Sequence, residues 1–345
     1  MAVKGRMRNL YIHCGLAKTG TTSIQKFLSQ SREQLNAIDY DYPTICQNND
    51  GYNHGNLTWQ FFNHTYFDPR AGTADDFLGF LNSSDRKSNI VISAEGFANC
   101  LVREHPSVHF LDFLRSAVQL NDAVYLVFSF RTFWRYIESL YLQLLKAGSL
   151  KVSLSHHIER RLIWLRRLLE EIAALREIVG DDRVLVADVD MSDSISALLP
   201  LLQIDESKLG PRPEKLNARL GIKKAALLYL FQFDPGGELS GRSQRQILRF
   251  AKSLDKMADL PDDEYSYHIV TLAEANRIQD DMRAHVPGFL RAELASACAA
   301  VDSSHQAAVL ENVELPVKEA LSIIEGLISA KLKRREKRSQ TELSA

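Results

Sequence analysis

The chain has 345 residues, with 42 Lys and Arg against 43 Asp and Glu, a formal charge of −1, and 45% hydrophobic and 25% charged residues. These proportions are those of a globular chain and exclude wholesale disorder, and the length suits one large domain or a core with an appendage. The near-balance of charge argues against a nucleic-acid binder that relies on bulk positive potential.

The segment Met1–Arg8 is basic, but no apolar run of signal-peptide length follows it. The longest clean apolar stretch, Ala123–Phe130, falls far short of the roughly 20 residues that span a bilayer. A cytoplasmic chain without a membrane span is expected. Cys14, Cys46, Cys100 and Cys298 are scattered, with no CxxC and no Cys/His cluster. That spacing speaks for free thiols in a reducing compartment and against a metal site or a disulfide framework. Sequons at Asn56, Asn63 and Asn82 would matter only in a secreted chain.

The first half alternates short apolar runs with amphipathic stretches, the pattern of an α/β core with a parallel sheet flanked by helices. Asn9–Gly15 reads as the first strand and Thr21–Ala37 as the helix after it. Asp39–Asp68 has no clear period and reads as long loops around a short helix, a common setting for binding elements. Asn89–Ala94 is a second strand and Val108–Leu120 a helix. Ala123–Phe130, the most apolar run, is a central third strand. Thr132 stands where an N-cap would, opening a helix that Gly148 closes. A charged helix over His156–Val179, a strand at Val184–Ala187 and a helix over Ser192–Gln203 complete this half.

Beyond about Ile204 only helices are predicted, over Lys223–Phe231, Ser243–Ala258, Glu264–Arg283 and Val317–Arg335, with a frayed tail over Lys331–Ala345. The basic run from Lys331 to Arg338 reads as a solvated helix end. Residues 1–205 are thus expected to form the α/β core and residues 206–345 a helical C-terminal cap and tail.

The informative segment runs from Leu10 to Gln25, where a strand enters a Gly-bounded loop that opens a helix. Backbone N–H groups and a helix N-terminus then converge on one point, an arrangement that stabilises an anion. Lys18 adds a mobile full charge, and Thr21 and Thr22 offer hydroxyls at the first helical turn. A Walker A loop places its lysine directly after the second glycine. Here Gly15 and Gly20 match the glycines, but Lys18 comes two places before Gly20, so a nucleotide-hydrolysing loop fits poorly.

The shifted form, Lys18-Thr19-Gly20-Thr21-Thr22 after a strand, resembles the 5′-phosphosulfate loop of sulfotransferases. These enzymes use 3′-phosphoadenosine 5′-phosphosulfate (PAPS) as co-substrate. Ala17 stands where that loop often has proline. Arg131 at a strand end with Ser139 eight residues later resembles the family's 3′-phosphate site. Ile92-Ser93-Ala94-Glu95, Glu138–Tyr141 and Lys215-Leu216-Asn217 also resemble elements of the bacterial-type branch. The resemblance covers residues 9 to 203 and implies a P-loop NTPase-like core. It further implies that Lys18, Thr19, Gly20, Thr21 and Thr22 hold the 5′-phosphosulfate and that Arg131 and Ser139 hold the 3′-phosphate. The reaction it implies is sulfuryl transfer to a carbohydrate or small-molecule acceptor, with no metal required.

Lys18 is then the electrostatic partner of the bridging oxygen, and a hydroxyl acceptor benefits from a base whose pKa lies near operating pH. His54, in the long loop, and Glu95, at a strand end, are the two candidates for that base, while His64 and His13 are weaker. The aromatics Trp59, Phe61, Phe62, Tyr66 and Phe67 either line an acceptor pocket or staple the loop to the core. Two other readings stay open: a P-loop kinase or NTPase with a displaced lysine, and a non-catalytic nucleotide-binding protein.

Overall fold

A computed structural model describes residues 7–190, 193–213, 222–233, 241, 243–254, 268–299 and 301. The elements follow in chain order: β1 (Asn9–Gly15), α1 (Thr21–Gln30), α2 (Arg32–Ala37), β2 (Tyr40–Asp41), α3 (Gly55–Phe61), α4 (Ala74–Asn82) and β3 (Asn89–Ser93). Next come α5 (Gly96–Leu101), α6 (Glu104–Leu120), β4 (Ala123–Phe130), α7 (Phe133–Lys146), α8 (Leu154–Val179) and β5 (Val184–Asp188). Among the described residues there follow α9 (Ser194–Leu198), α10 (Ile222–Gln232), α11 (Gln244–Leu254) and α12 (Leu272–His285).

The five strands form one sheet in the order β2-β3-β1-β4-β5, every pair parallel. The fold class is therefore α/β, a parallel sheet flanked by helices. Helices on both faces explain why β1 and β4 are apolar almost without interruption and nearly all buried. One face packs Tyr11, Val91 and Val127 against Ile24, Phe27 and Leu28 of α1 and Ile195 and Leu198 of α9. Elsewhere in this unit the rings of Phe61, Phe77, Phe97, Phe110 and Phe113 pack with centroids 5.4 to 6.0 Å apart. From β1 the chain passes to one side of the sheet, and after β3 it crosses to the other. The crevice outside the carboxyl ends of β1, β3 and β4 is thus the switch point at which such sheets bind ligands.

Several elements depart from the sequence expectations. The helix predicted over Thr21–Ala37 breaks at Ser31 into α1 and α2. The two-residue edge strand β2 was not foreseen, nor were α4 and α5. α4 carries a full capping box, the Thr73 hydroxyl accepting the Asp76 N–H while the Asp76 carboxylate accepts the Thr73 N–H. α6 starts four residues before the expected Val108, and α9 covers only five of the twelve residues expected to be helical. α12 starts at Leu272 because Thr271 and Glu274 form a reciprocal cap there. The helix expected at Val317–Arg335, the tail and Lys215-Leu216-Asn217 lie outside the described residues.

The described residues pack as two compact units, the first drawn from 1–137, 158–217 and 276–301, the second from 138–157 and 218–275. The second has its own core of Tyr141, Leu145, Leu228, Phe233, Ile247 and Ile269. In it, the buried Glu138 carboxylate accepts the Ile269 N–H at 2.6 Å. The four cysteines are free and buried. No helix among the described residues is long and apolar enough to cross a membrane.

Candidate active site at the carboxyl edge of the sheet

β1 ends at Gly15, where an added Cβ would lie 2.7 Å from the Thr21 side chain, so only glycine lets the loop fold back over the helix start. The loop turns through two left-handed residues, Lys18 at φ 67° and Gly20 at φ 78°. Glycine adopts that conformation freely, whereas lysine does so at a cost, and strain of this kind gathers at functional sites. A Cβ on Gly20 would also collide with the Ser194 side chain.

Inside the turn, the Thr19 hydroxyl donates to the Leu16 carbonyl at 2.7 Å and the Thr21 hydroxyl to the same oxygen at 3.0 Å. Both threonines are buried. The Thr21 hydroxyl, expected from the sequence to face a ligand, here holds the turn. Gly20, as N-cap, supplies no side-chain hydrogen bond to the first-turn amides of α1. Ala17, Lys18 and Thr22 are half-buried in the turn.

Arg131, one residue beyond β4, reaches across to this loop. Its Nη1 donates to the Lys18 carbonyl at 3.3 Å, and its Nη2 lies 3.6 Å from the Asp190 carboxylate. Asp190 in turn accepts the Thr132 N–H. Two segments 113 residues apart thus meet at one edge of the sheet. Ser139 is half-buried on α7 in the second unit.

Glu95 follows β3 and is half-buried. Burial pushes its carboxyl above the ordinary range, and the Lys18 ammonium opposes that rise. Beside it opens a cleft of about 470 Å³, reached by Thr22 and Gln25 of α1 and lined by Asn48, Asn53, Trp59 and Arg103 among others. The Arg103 guanidinium stands 5.3 Å from the centre of the Phe62 ring. Of the loop aromatics, Trp59 and Phe62 line this cleft, while Phe61 is buried in the core. Arg32 fixes the wall formed by the loop after β2, donating to the Tyr42 carbonyl at 2.9 Å, the Gln47 side chain at 2.7 Å and the Gly51 carbonyl at 3.2 Å.

His54 is placed differently from its sequence expectation. It is fully buried; its Nδ1 accepts the Ser93 N–H at 3.2 Å, and its Nε2 lies 2.9 Å from the Pro43 carbonyl. The first contact fixes the neutral tautomer with the proton on Nε2, which donates to Pro43. Both nitrogens are thus engaged by backbone groups, and His54 ties the loop to β3. His64 is exposed at the cleft rim. Asn56 is buried and its amide donates to the Asp68 and Gly72 carbonyls, which removes that sequon from glycosylation.

No family model matches the chain, and no curated protein matches it. Among solved structures it is similar to a crystal structure of a sulfotransferase from Alicyclobacillus acidocaldarius, with a TM-score of 0.38 and 12% identity. That similarity covers 61% of this chain and 86% of the other.

Burial holds both His13 and His54 neutral, lowering each from 6.5 to about 3. The unfolded chain binds a proton at each as pH falls below 6.5, whereas the folded chain does not until about 3. Stability is therefore greatest above that window and is lost as pH falls through it, by up to about 1.4 kcal/mol per pH unit for each imidazole. Urea unfolding followed at stepped pH should show the midpoint dropping steeply across the window, and a flat midpoint would contradict the burial of both rings.

Proposed function

We propose that this chain transfers a sulfuryl group from PAPS to a hydroxyl or amine of a carbohydrate or small-molecule acceptor. The observation that carries the reading is the Arg131 guanidinium seated on the Lys18 carbonyl. It brings a guanidinium suited to a phosphate and an uncapped helix N-terminus with its own lysine to one edge of the sheet, as a nucleotide with phosphates at two positions requires. Thr19, Gly20, Thr21 and Thr22 would serve the 5′-phosphosulfate through the turn and first-turn amides, with Lys18 beside them. Arg131 would serve the 3′-phosphate.

The donor supplies a sulfuryl group joined to its 5′-phosphate. Transfer forms a bond from the acceptor oxygen to sulfur as the bond to the bridging oxygen breaks. Lys18 neutralises the charge that develops on the departing phosphate, and Glu95 takes the acceptor's proton. The cleft beside Glu95 presents amides from Asn48, Asn53 and Asn99 and the Trp59 ring, groups suited to a polyhydroxylated acceptor.

Calorimetric titration with 3′-phosphoadenosine 5′-phosphate tests the reading. Saturable binding at one site, with no comparable binding of ATP, is expected. Failure to bind that nucleotide, together with Mg²⁺-dependent ATP hydrolysis, would overturn it in favour of an NTPase. The role of Glu95 has its own test. Glu95→Gln should lower the transfer rate by about a hundredfold or more while leaving nucleotide affinity unchanged. The wild-type rate should fall with pH as Glu95 protonates, at a pH above that of an ordinary glutamate, and the variant should lose that acid limb.

A further inference from the structure

At the carboxyl end of the sheet, just beneath the cleft, a face that is otherwise apolar turns polar. His13, Ser93 and Ser129 are each 0% exposed. The imidazole bridges two neighbouring strands, its Nδ1 2.8 Å from the Ser93 Oγ on β3 and its Nε2 2.8 Å from the Ser129 Oγ on β4. A neutral imidazole donates through one nitrogen and accepts through the other, so both contacts are hydrogen bonds in either tautomer. The Gln25 amide of α1 donates to the same Ser93 hydroxyl at 3.2 Å, and the Ala94 N–H donates to the His13 carbonyl at 3.2 Å.

The pleat puts His13, Ser93 and Ser129 on the side of the sheet that holds Tyr11, Val91 and Val127, one step nearer the carboxyl edge. Apolar side chains would cover that step at no desolvation cost, whereas three buried polar groups are stabilising only while every bond is kept. What the polar set adds is direction, because a hydrogen bond fixes distance and angle where apolar contacts let strands slide.

Each of the three sits two residues before a part of the candidate site. His13 precedes Gly15, where the loop begins, Ser93 precedes Glu95, and Ser129 precedes Arg131. We infer that His13 is a positioning residue whose two hydroxyl contacts set the spacing of the Lys18 loop, Glu95 and Arg131. The inference rests on the sulfotransferase reading and deepens it. The contact with Ser129 governs the nucleotide's two anion sites, and the contact with Ser93 governs the base.

Two single substitutions separate this role from a merely structural one. Ser129→Ala and Ser93→Ala each remove one hydrogen bond from the same buried ring, and Ser93→Ala also removes the one donated by the Gln25 amide, so Ser93→Ala should lower stability in urea at least as much as Ser129→Ala. Calorimetric affinity for 3′-phosphoadenosine 5′-phosphate should then split. Ser129→Ala is expected to weaken binding about tenfold, equivalent to about 1.4 kcal/mol, and Ser93→Ala to leave it within about twofold. If Ser129→Ala does not fold, Ser129→Cys, which keeps the volume with a weaker hydrogen bond, should shift affinity in the same direction. Equal effects of the two serines on affinity, or tight binding after loss of the Ser129 hydroxyl, would overturn the inference. A wild-type chain that does not bind the nucleotide would overturn the underlying reading, and the inference with it.

Discussion

Replacing Lys18 with alanine is expected to slow sulfuryl transfer by about a thousandfold, the scale on which single charge-stabilising groups act in acyl and phosphoryl transfer. Loss of the ammonium removes the charge that meets the departing phosphate. It also removes the influence that opposes burial at Glu95, so the acid limb of the pH–rate profile should move to higher pH. Lys18→Gly separates chemistry from folding. Lys18 sits at φ 67°, a conformation that costs a non-glycine residue about 1 kcal/mol. The glycine variant should therefore be at least as stable as the wild type in urea and as inactive as the alanine variant. A glycine variant that retained activity would remove Lys18 from the mechanism.

The second large effect is expected at Arg131. Arg131→Ala should weaken binding of 3′-phosphoadenosine 5′-phosphate by about a hundredfold, as truncation of one partner of a hydrogen-bonded charge pair does. Part of that loss comes from what remains. The Asp190 carboxylate, now 3.6 Å from the guanidinium, would face the nucleotide's anion without its partner. Adding Asp190→Asn to Arg131→Ala should restore about fivefold of the affinity, the scale of coupling between neighbouring charges. Arg131→Lys should recover less than the full affinity because an ammonium lacks the planar fork. Unchanged binding in Arg131→Ala would place the nucleotide, if it binds at all, elsewhere.

The parts of this architecture that were legible in the sequence are those whose signal is local. β1 and β4 lie in the sheet interior and are covered on both faces, so their apolar runs mark their ends as the structure has them. The turn from Gly15 to Thr22 was readable because the chain needs glycine where a side chain would collide or φ turns positive. α5 was not legible: it is only six residues long, so Phe97, Ala98, Cys100 and Leu101 lie on one helical stripe but span too few turns to set a period. The sequence could not show that His54 is buried and held neutral, since an imidazole's intrinsic pKa is a local property while its burial is set by tertiary packing. Asp190, 58 residues from the Thr132 it caps, carries no local signature. The cleft wall drawn from Asn48, Asn53, Asn99 and Arg103 carries none either.

The hold of Arg32 on the segment from Tyr42 to Gly51 bears on how readily the acceptor could be changed. Because one guanidinium anchors that strip at three points, less entropy is spent ordering it when a guest arrives. Cleft-lining residues of that strip, such as Asn48, could then vary in identity while the trace beneath them holds. Exchanging tips on a fixed trace is a route by which such a scaffold could be retuned to a new guest without touching the machinery of group transfer.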